Sequence, residues 1–214
     1  MGRIDPRPFD LIVVLSPHGL RTGVYAQPFG TLAQFGYPEV GVEIQGDAAF
    51  AAALADAWDA DLLDDPIDYG VFVPLILWEV EDEHSGRIPV VSACMNEAGP
   101  AAREATALAN ALTSVAEGRR ILFVASVNGS PGLSPRAPLT EIEGARELED
   151  LFLDALRSDG AEVETAARRL ADDAGSCGLG PLIAFSRLFA GRSSKVLAHE
   201  RPVGVGYTVA LTDG

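Results

Sequence analysis

The segment that most constrains the fold runs from Ile88 to Ser126. It opens with the apolar run IPVVSAC (Ile88–Cys94), which reads as a buried strand. An Ala/Leu-rich stretch, Pro100 to Glu117, follows as a helix, with proline near its start and Gly118 at its end. RRILFVAS (Arg119–Ser126) then returns as a strand that is apolar on both faces. Strand, helix and strand in that order make a βαβ unit, which commits the chain to a parallel sheet with helices packed on it. A further buried strand, Leu11–Leu15 (LIVVL), precedes the unit and ends in Ser16-Pro17-His18-Gly19. Pro17 has no N–H to donate, so the ladder is expected to stop there and leave His18 at the strand's exit. In α/β folds, ligands collect at the carboxyl ends of strands.

The rest of the chain fits that frame. Residues 1–10 form a polar lead-in. The Gly/Pro-containing stretch from Pro17 to Val40 is too long for a plain loop, so it is either functional or hides short elements. Asp47 is placed to cap a helix over Ala48–Trp58. An acidic turn, Leu62–Gly70, leads into Val71–Trp78, which reads as a buried strand or as a short buried helix started or broken by Pro74. Glu79–Arg87 reads as a solvated turn that leaves His84 exposed among acidic residues. Helices are expected over Glu141–Leu156, Ala161–Ala171 and Gly178–Ala190, the last packed on the sheet. Two strands, Lys195–His199 and Val203–Leu211, flank a turn at Arg201-Pro202. The expected architecture is a single α/β domain over residues 1–214, with a central mixed, largely parallel sheet flanked by helices.

Bulk properties narrow the function. The chain has 214 residues, a net charge of −15 and a pI of about 4.5. It lacks the basic footprint of a nucleic-acid binder, and an anionic membrane surface would repel it. No apolar run approaches a membrane span, and MGRIDPRPFD lacks the apolar core of a signal peptide, so a cytoplasmic protein is expected. The two cysteines, Cys94 and Cys177, form no CxxC pair; they read as buried thiols, and a zinc–cysteine site is excluded. The loop after the Arg119–Ser126 strand lacks the Lys-Ser/Thr ending of a phosphate-binding loop. GLGPL follows no strand, and no GxSxG elbow is present. HERPVGVGY (His199–Tyr207) is more informative, because a tight turn there places the carboxylate of Glu200 at a strand end. Non-haem ferrous sites use two histidines and one carboxylate, and His18 with Glu200 would supply one of each.

These segments, in this order, resemble the class III extradiol ring-cleavage dioxygenases of the LigB type over nearly the whole chain. SPHG (Ser16–Gly19) resembles the segment that carries the family's first histidine ligand. DYGVFVPL (Asp68–Leu75) resembles D-H-G-x-x-V-P-L, whose histidine is the second. ASVNGSPGLSPRAP (Ala125–Pro138) resembles the segment whose histidine is the acid/base. AGSCGLGPL (Ala174–Leu182) and VLAHERPVGVGY (Val196–Tyr207) resemble the two C-terminal segments, the latter holding the carboxylate ligand. The resemblance implies His18 and Glu200 as metal ligands, with Tyr69 and Asp68 as further candidates. It implies ferrous iron as the metal, zinc as the alternative, or no metal at all. It also implies a small aromatic ligand in the crevice, no nucleic acid or membrane partner, and a homodimer or a hetero-oligomer with an active paralogue.

The departures weigh as much as the matches. Tyr69 stands at the second histidine position and Pro131 at the acid/base position. Proline cannot carry a proton, and general acid–base catalysis is typically worth ~10²–10⁴-fold. A phenolate binds ferric iron, but a neutral tyrosine is a poor ligand for ferrous iron or zinc. His199 is next to Glu200, but neighbours on a strand point to opposite faces. The expectation is therefore a family member with impaired or lost catalysis and a binding or assembly role. The alternative is an active ferrous ring-cleavage dioxygenase, or another metal-dependent enzyme, with an altered site.

Overall fold

A computed structural model describes residues 8–81, 88–96, 100–158 and 160–212. His84 and most of its acidic turn lie outside the described residues. The chain falls into two compact units, one running up to Ser126 and the other from Val127 onward.

The first unit is built on a five-stranded sheet. Its strands are β1 (Leu11–Gly19), β2 (Gly23–Tyr25), β5 (Asp61–Leu63), β6 (Val90–Asn96) and β7 (Ile121–Ala125), in the spatial order β5-β2-β6-β1-β7. β1 pairs parallel with both β6 and β7, β2 pairs parallel with β5, and β2 against β6 is the antiparallel pair that makes the sheet mixed. The βαβ unit is present as β6, helix α3 (Ala101–Val115) and β7. The stretch after β1 hides β2, then the hairpin of β3 (Phe29–Leu32) and β4 (Tyr37–Glu43), with a 3-10 turn at Ala33–Phe35 between the last two.

One sequence expectation resolves differently here, and one left open between two alternatives is settled. Pro17 does not end β1, which continues to Gly19. Ser16 pairs with Cys94 and Gly19 with Asn96, so β1 carries one residue more than β6 between those pairs. That bulge absorbs the missing N–H of Pro17 and re-aims the residues beside it, as bulges near functional sites do. Val71–Trp78 lies within a helix, α2 (Tyr69–Glu81), with Pro74 inside it. Val71, Phe72 and Leu75 are buried in the core with Ile12, Val14 and Val90. Val73 and Leu77, on the other side, are exposed. Burial at i, i+1 and i+4 is helical spacing and does not fit a strand.

Helix α1 (Ala48–Trp58) begins where the sequence places it, with Asp47 accepting a hydrogen bond from Phe50 N at 2.9 Å. Asp47 also pairs with Arg119 at 2.8 Å, and both contacts hold its carboxyl below the usual carboxylate range, the backbone bond first. Asp47→Ala is expected to cost about 1 kcal/mol in urea unfolding, the usual loss of a helix cap.

The second unit holds helices α4 (Ala145–Arg157), α5 (Val163–Ala174) and α6 (Leu179–Leu188), and the antiparallel hairpin β8 (Ser194–Glu200)–β9 (Tyr207–Thr212). Its core joins Leu133, Leu148, Phe152, Leu156, Leu170 and Leu182. α4 starts later than the expected Glu141, because Gly144 takes a left-handed φ of 78° and Ile142 N is tied to Gly132 O at 2.9 Å. α6, expected on the sheet, packs on α5 within this unit. Among the described residues, no helix is long and apolar enough to cross a membrane.

Candidate functional site at the end of the first strand

The bulged end of β1 and the first turn of α2 meet through one carboxylate. Asp68 precedes α2 and caps it: its Oδ1 accepts from Gly70 N at 2.7 Å and Val71 N at 3.3 Å. The same oxygen accepts from Ser16 Oγ on β1 at 2.7 Å. Its Oδ2 accepts from the buried thiol of Cys94 on β6 at 3.2 Å. Burial first, and then the neighbouring Asp68 charge, push the Cys94 thiol well above its ordinary range, so it stays a neutral donor. Four donors thus converge on Asp68. The sequence offers this residue as a metal ligand; the fold commits both its oxygens to joining α2 to the sheet.

Gly70 is required by the same approach. A Cβ there would lie 2.6 Å from Ser16 Oγ, 2.9 Å from Asp68 Oδ1 and 3.3 Å from His18 Cδ2. With α2 held this close, Tyr69 reaches His18. Its Oη lies 2.8 Å from Nε2 and 3.3 Å from Nδ1, a hydrogen bond whose donor is set by the imidazole tautomer. The two rings sit 4.5 Å apart at a 31° tilt, and Phe35 meets Tyr69 edge-on at 6.5 Å. Tyr69 and Phe35 are both exposed, so the pair opens to solvent. On β2, burial pushes the Tyr25 phenol above its ordinary range, with Cys94 and Asp65 adding to the rise.

The other candidate positions belong to the second unit. Glu200 ends β8, exposed and paired across the hairpin with Tyr207. His199 points the other way, its Nδ1 2.9 Å from Thr208 Oγ1, as strand alternation requires. Burial, reinforced by Arg201, holds its imidazole below the ordinary histidine range. Pro131 lies in the loop before α4, where its carbonyl accepts from Leu139 N at 3.2 Å. In the same unit, Cys177 is half-buried rather than buried, with its thiol against Asn128 Oδ1.

The sequence model described as the catalytic LigB subunit of aromatic ring-opening dioxygenase matches residues 3–206. The chain belongs to that family. Among solved structures, it is similar to the crystal structure of uncharacterized protein JW3007 from Escherichia coli K12, with a TM-score of 0.64 and 21% identity over 94% of this chain and 85% of that one. At that identity the likeness is one of fold. No match was found among curated proteins.

The family implies a metal, so the donor set of the first unit can be tested against one. It offers one imidazole already bonded to a phenol, and a carboxylate whose two oxygens take four donors. Among the described residues, no three His, Cys, Asp or Glu side chains come together as metal ligands would. The residues around His18 do not fit a ferrous site as they stand. Ser16 and Gly70, which build this neighbourhood, were not read as site residues in the sequence; Cys94, read there as a buried thiol, is buried and held neutral as a donor to Asp68. Asp68 two residues before Gly70, ahead of an apolar run, is the one signal of the cap.

Proposed function

We propose that this chain is a LigB-family protein that has given up ring-opening chemistry and uses the His18–Tyr69 end of its sheet to bind. The observation that carries the reading is the 2.8 Å contact between Tyr69 Oη and His18 Nε2. A phenol at the second ligand position ties up the first imidazole in a hydrogen bond. An incoming metal would have to displace that bond and would gain only a neutral phenol in return. Pro131 removes the proton carrier at the acid/base position. What remains, an imidazole–phenol pair flanked by Phe35, suits a small aromatic ligand held by ring contact and one hydrogen bond. Assembly as a homodimer, or with a catalytic relative, belongs to the same reading. Retention of His18 and Glu200 favours the second reading, an active ferrous enzyme with an altered site.

Anaerobic loading of the purified protein with ferrous iron separates the two. The wild type is expected to retain well below one iron per chain, no more than His18→Ala, and to take up no oxygen with catechol. Stoichiometric iron that depends on His18 overturns the proposal, and oxygen uptake with catechol establishes the second reading.

A further inference from the structure

The hairpin of the second unit leaves a strand edge that its sequence does not guard. β9 reads YTVALT, six residues with no charge, proline or glycine. It pairs with β8 alone, and its other edge makes no backbone–backbone bond among the described residues. Ala210, with Val196 opposite it, packs on the helical core. Alternation puts Tyr207, Val209 and Leu211 on the other face, where Tyr207 is 51% and Val209 42% exposed. Unpaired edges invite pairing with another chain, and proteins ordinarily blunt them with proline and charge. The hairpin of the first unit does so: β4 carries Pro38, Glu39 and Glu43, all exposed. In a chain of net charge −15, an uncharged apolar edge is where a second copy meets the least repulsion.

We propose that β9 is the interface of a homodimer, pairing antiparallel with β9 of a second copy to make one four-stranded sheet in the order β8-β9-β9-β8. A two-fold axis makes the edge self-complementary. Residues opposite one another share a face, so with Val209 opposite itself, Tyr207 meets Leu211 of the second copy and Thr208 meets its Ala210. The outer face then carries two aromatic–aliphatic pairs around a valine pair, the contacts that stabilise sheets. Charge selects the antiparallel sense. Within the hairpin, Glu200 lies opposite Tyr207 and Lys195 opposite Leu211. Antiparallel pairing sets Glu200 in one row with Lys195 of the second copy, whereas in-register parallel pairing would set glutamate with glutamate and lysine with lysine. The ends of that row are about 14 Å apart at the usual strand spacing, so these charges set direction more than strength. A single six-residue edge is a small interface, and small interfaces make transient complexes; a Kd on the order of 10 μM is expected. The interface supplies a surface for the assembly in the functional reading and rests on that part of it, not on the loss of chemistry.

Sedimentation velocity of the full chain, from roughly 1 to roughly 200 μM to bracket that Kd, tests this. The wild type is expected to pass from monomer to dimer across the range. Val209→Lys sets two like charges opposite each other at the axis and is expected to weaken association by about tenfold or more. Position-specific cross-linking tests the register without relying on that variant. Opposed antiparallel residues have Cα atoms about 4.5–5.5 Å apart, within the about 4.4–6.8 Å that a disulfide spans. Val209→Cys is therefore expected to give a covalent dimer under mild oxidation, above the wild-type background. Leu211→Cys is expected to give none, since its own counterpart lies four residues along, about 14 Å away. A wild type that stays monomeric throughout overturns the interface, as does a dimer that Val209→Lys leaves intact or cross-linking of Leu211→Cys as efficient as that of Val209→Cys. Each of these results leaves the iron-loading result, and with it the loss of ring-opening chemistry, untouched.

Discussion

Asp68→Ala is expected to lower the stability of the chain by about 3 kcal/mol in urea unfolding, the largest loss of any single polar substitution in the first unit. A helix cap alone is worth roughly 1 kcal/mol. Asp68 does more, because Ser16 Oγ and Cys94 Sγ are both buried and both donate to it. Each donor left without a partner adds about 1–3 kcal/mol, reduced where water enters the gap left by the carboxylate. Asp68→Asn separates the contributions. It keeps one acceptor oxygen, so the cap can survive while one of the two β-strand donors faces an amide N–H₂, and about half the loss is expected. Loss of α2 order would also free Tyr69 from His18. A urea midpoint for Asp68→Ala within error of the wild type would show that α2 is held to the sheet by its apolar face alone.

Much of the frame is legible in the sequence because apolar runs and capping residues act locally. β1, β6, β7, α1 and α3 all follow from runs such as LIVVL and from Asp47, Pro100 and Gly118. What escapes is set by contacts across the chain. Pro17 reads as a strand end, yet the β6 register lets β1 continue past it by a bulge. Val71–Trp78 is apolar on every side, so its period does not choose between helix and strand; Asp68, reached by Ser16 from 52 residues away, supports the helix. Glu149 reads as an ordinary acidic position on an amphipathic helix, and only the approach of Gly129 and Gly206 buries it. The candidate site divides in the same way. That His18 and Tyr69 lie together is what the resemblance to the family implies, but the hydrogen bond between them needed the fold, as did the commitment of Asp68 to capping. The opposite directions of His199 and Glu200 follow from strand alternation and hold in the hairpin.

Tyr69→His is expected to raise zinc affinity at the His18 site by on the order of tenfold or more, with Pro131→His changing it by no more than about twofold. Loss of a residue that merely hydrogen-bonds to a metal ligand typically costs ~10–100-fold in affinity, so supplying a ligand should gain at least that lower figure. The substitution exchanges a phenol that occupies His18 Nε2 for a second imidazole on the same turn of α2. Asp68, Ser16 and Gly70 would still hold that turn against β1, so the new imidazole would start near the position of the Tyr69 ring, 4.5 Å from that of His18. Pro131→His places its imidazole in a loop of the second unit at the position the family uses for proton transfer, so the first coordination sphere gains nothing. Calorimetric titration with zinc at a pH above the histidine range reads both variants directly. Adding His18→Ala to Tyr69→His should return the affinity to the wild-type level. Equal affinity for the wild type and Tyr69→His would mean that the phenol was never the obstacle, and that His18 is held away from any metal by something other than its partner on α2.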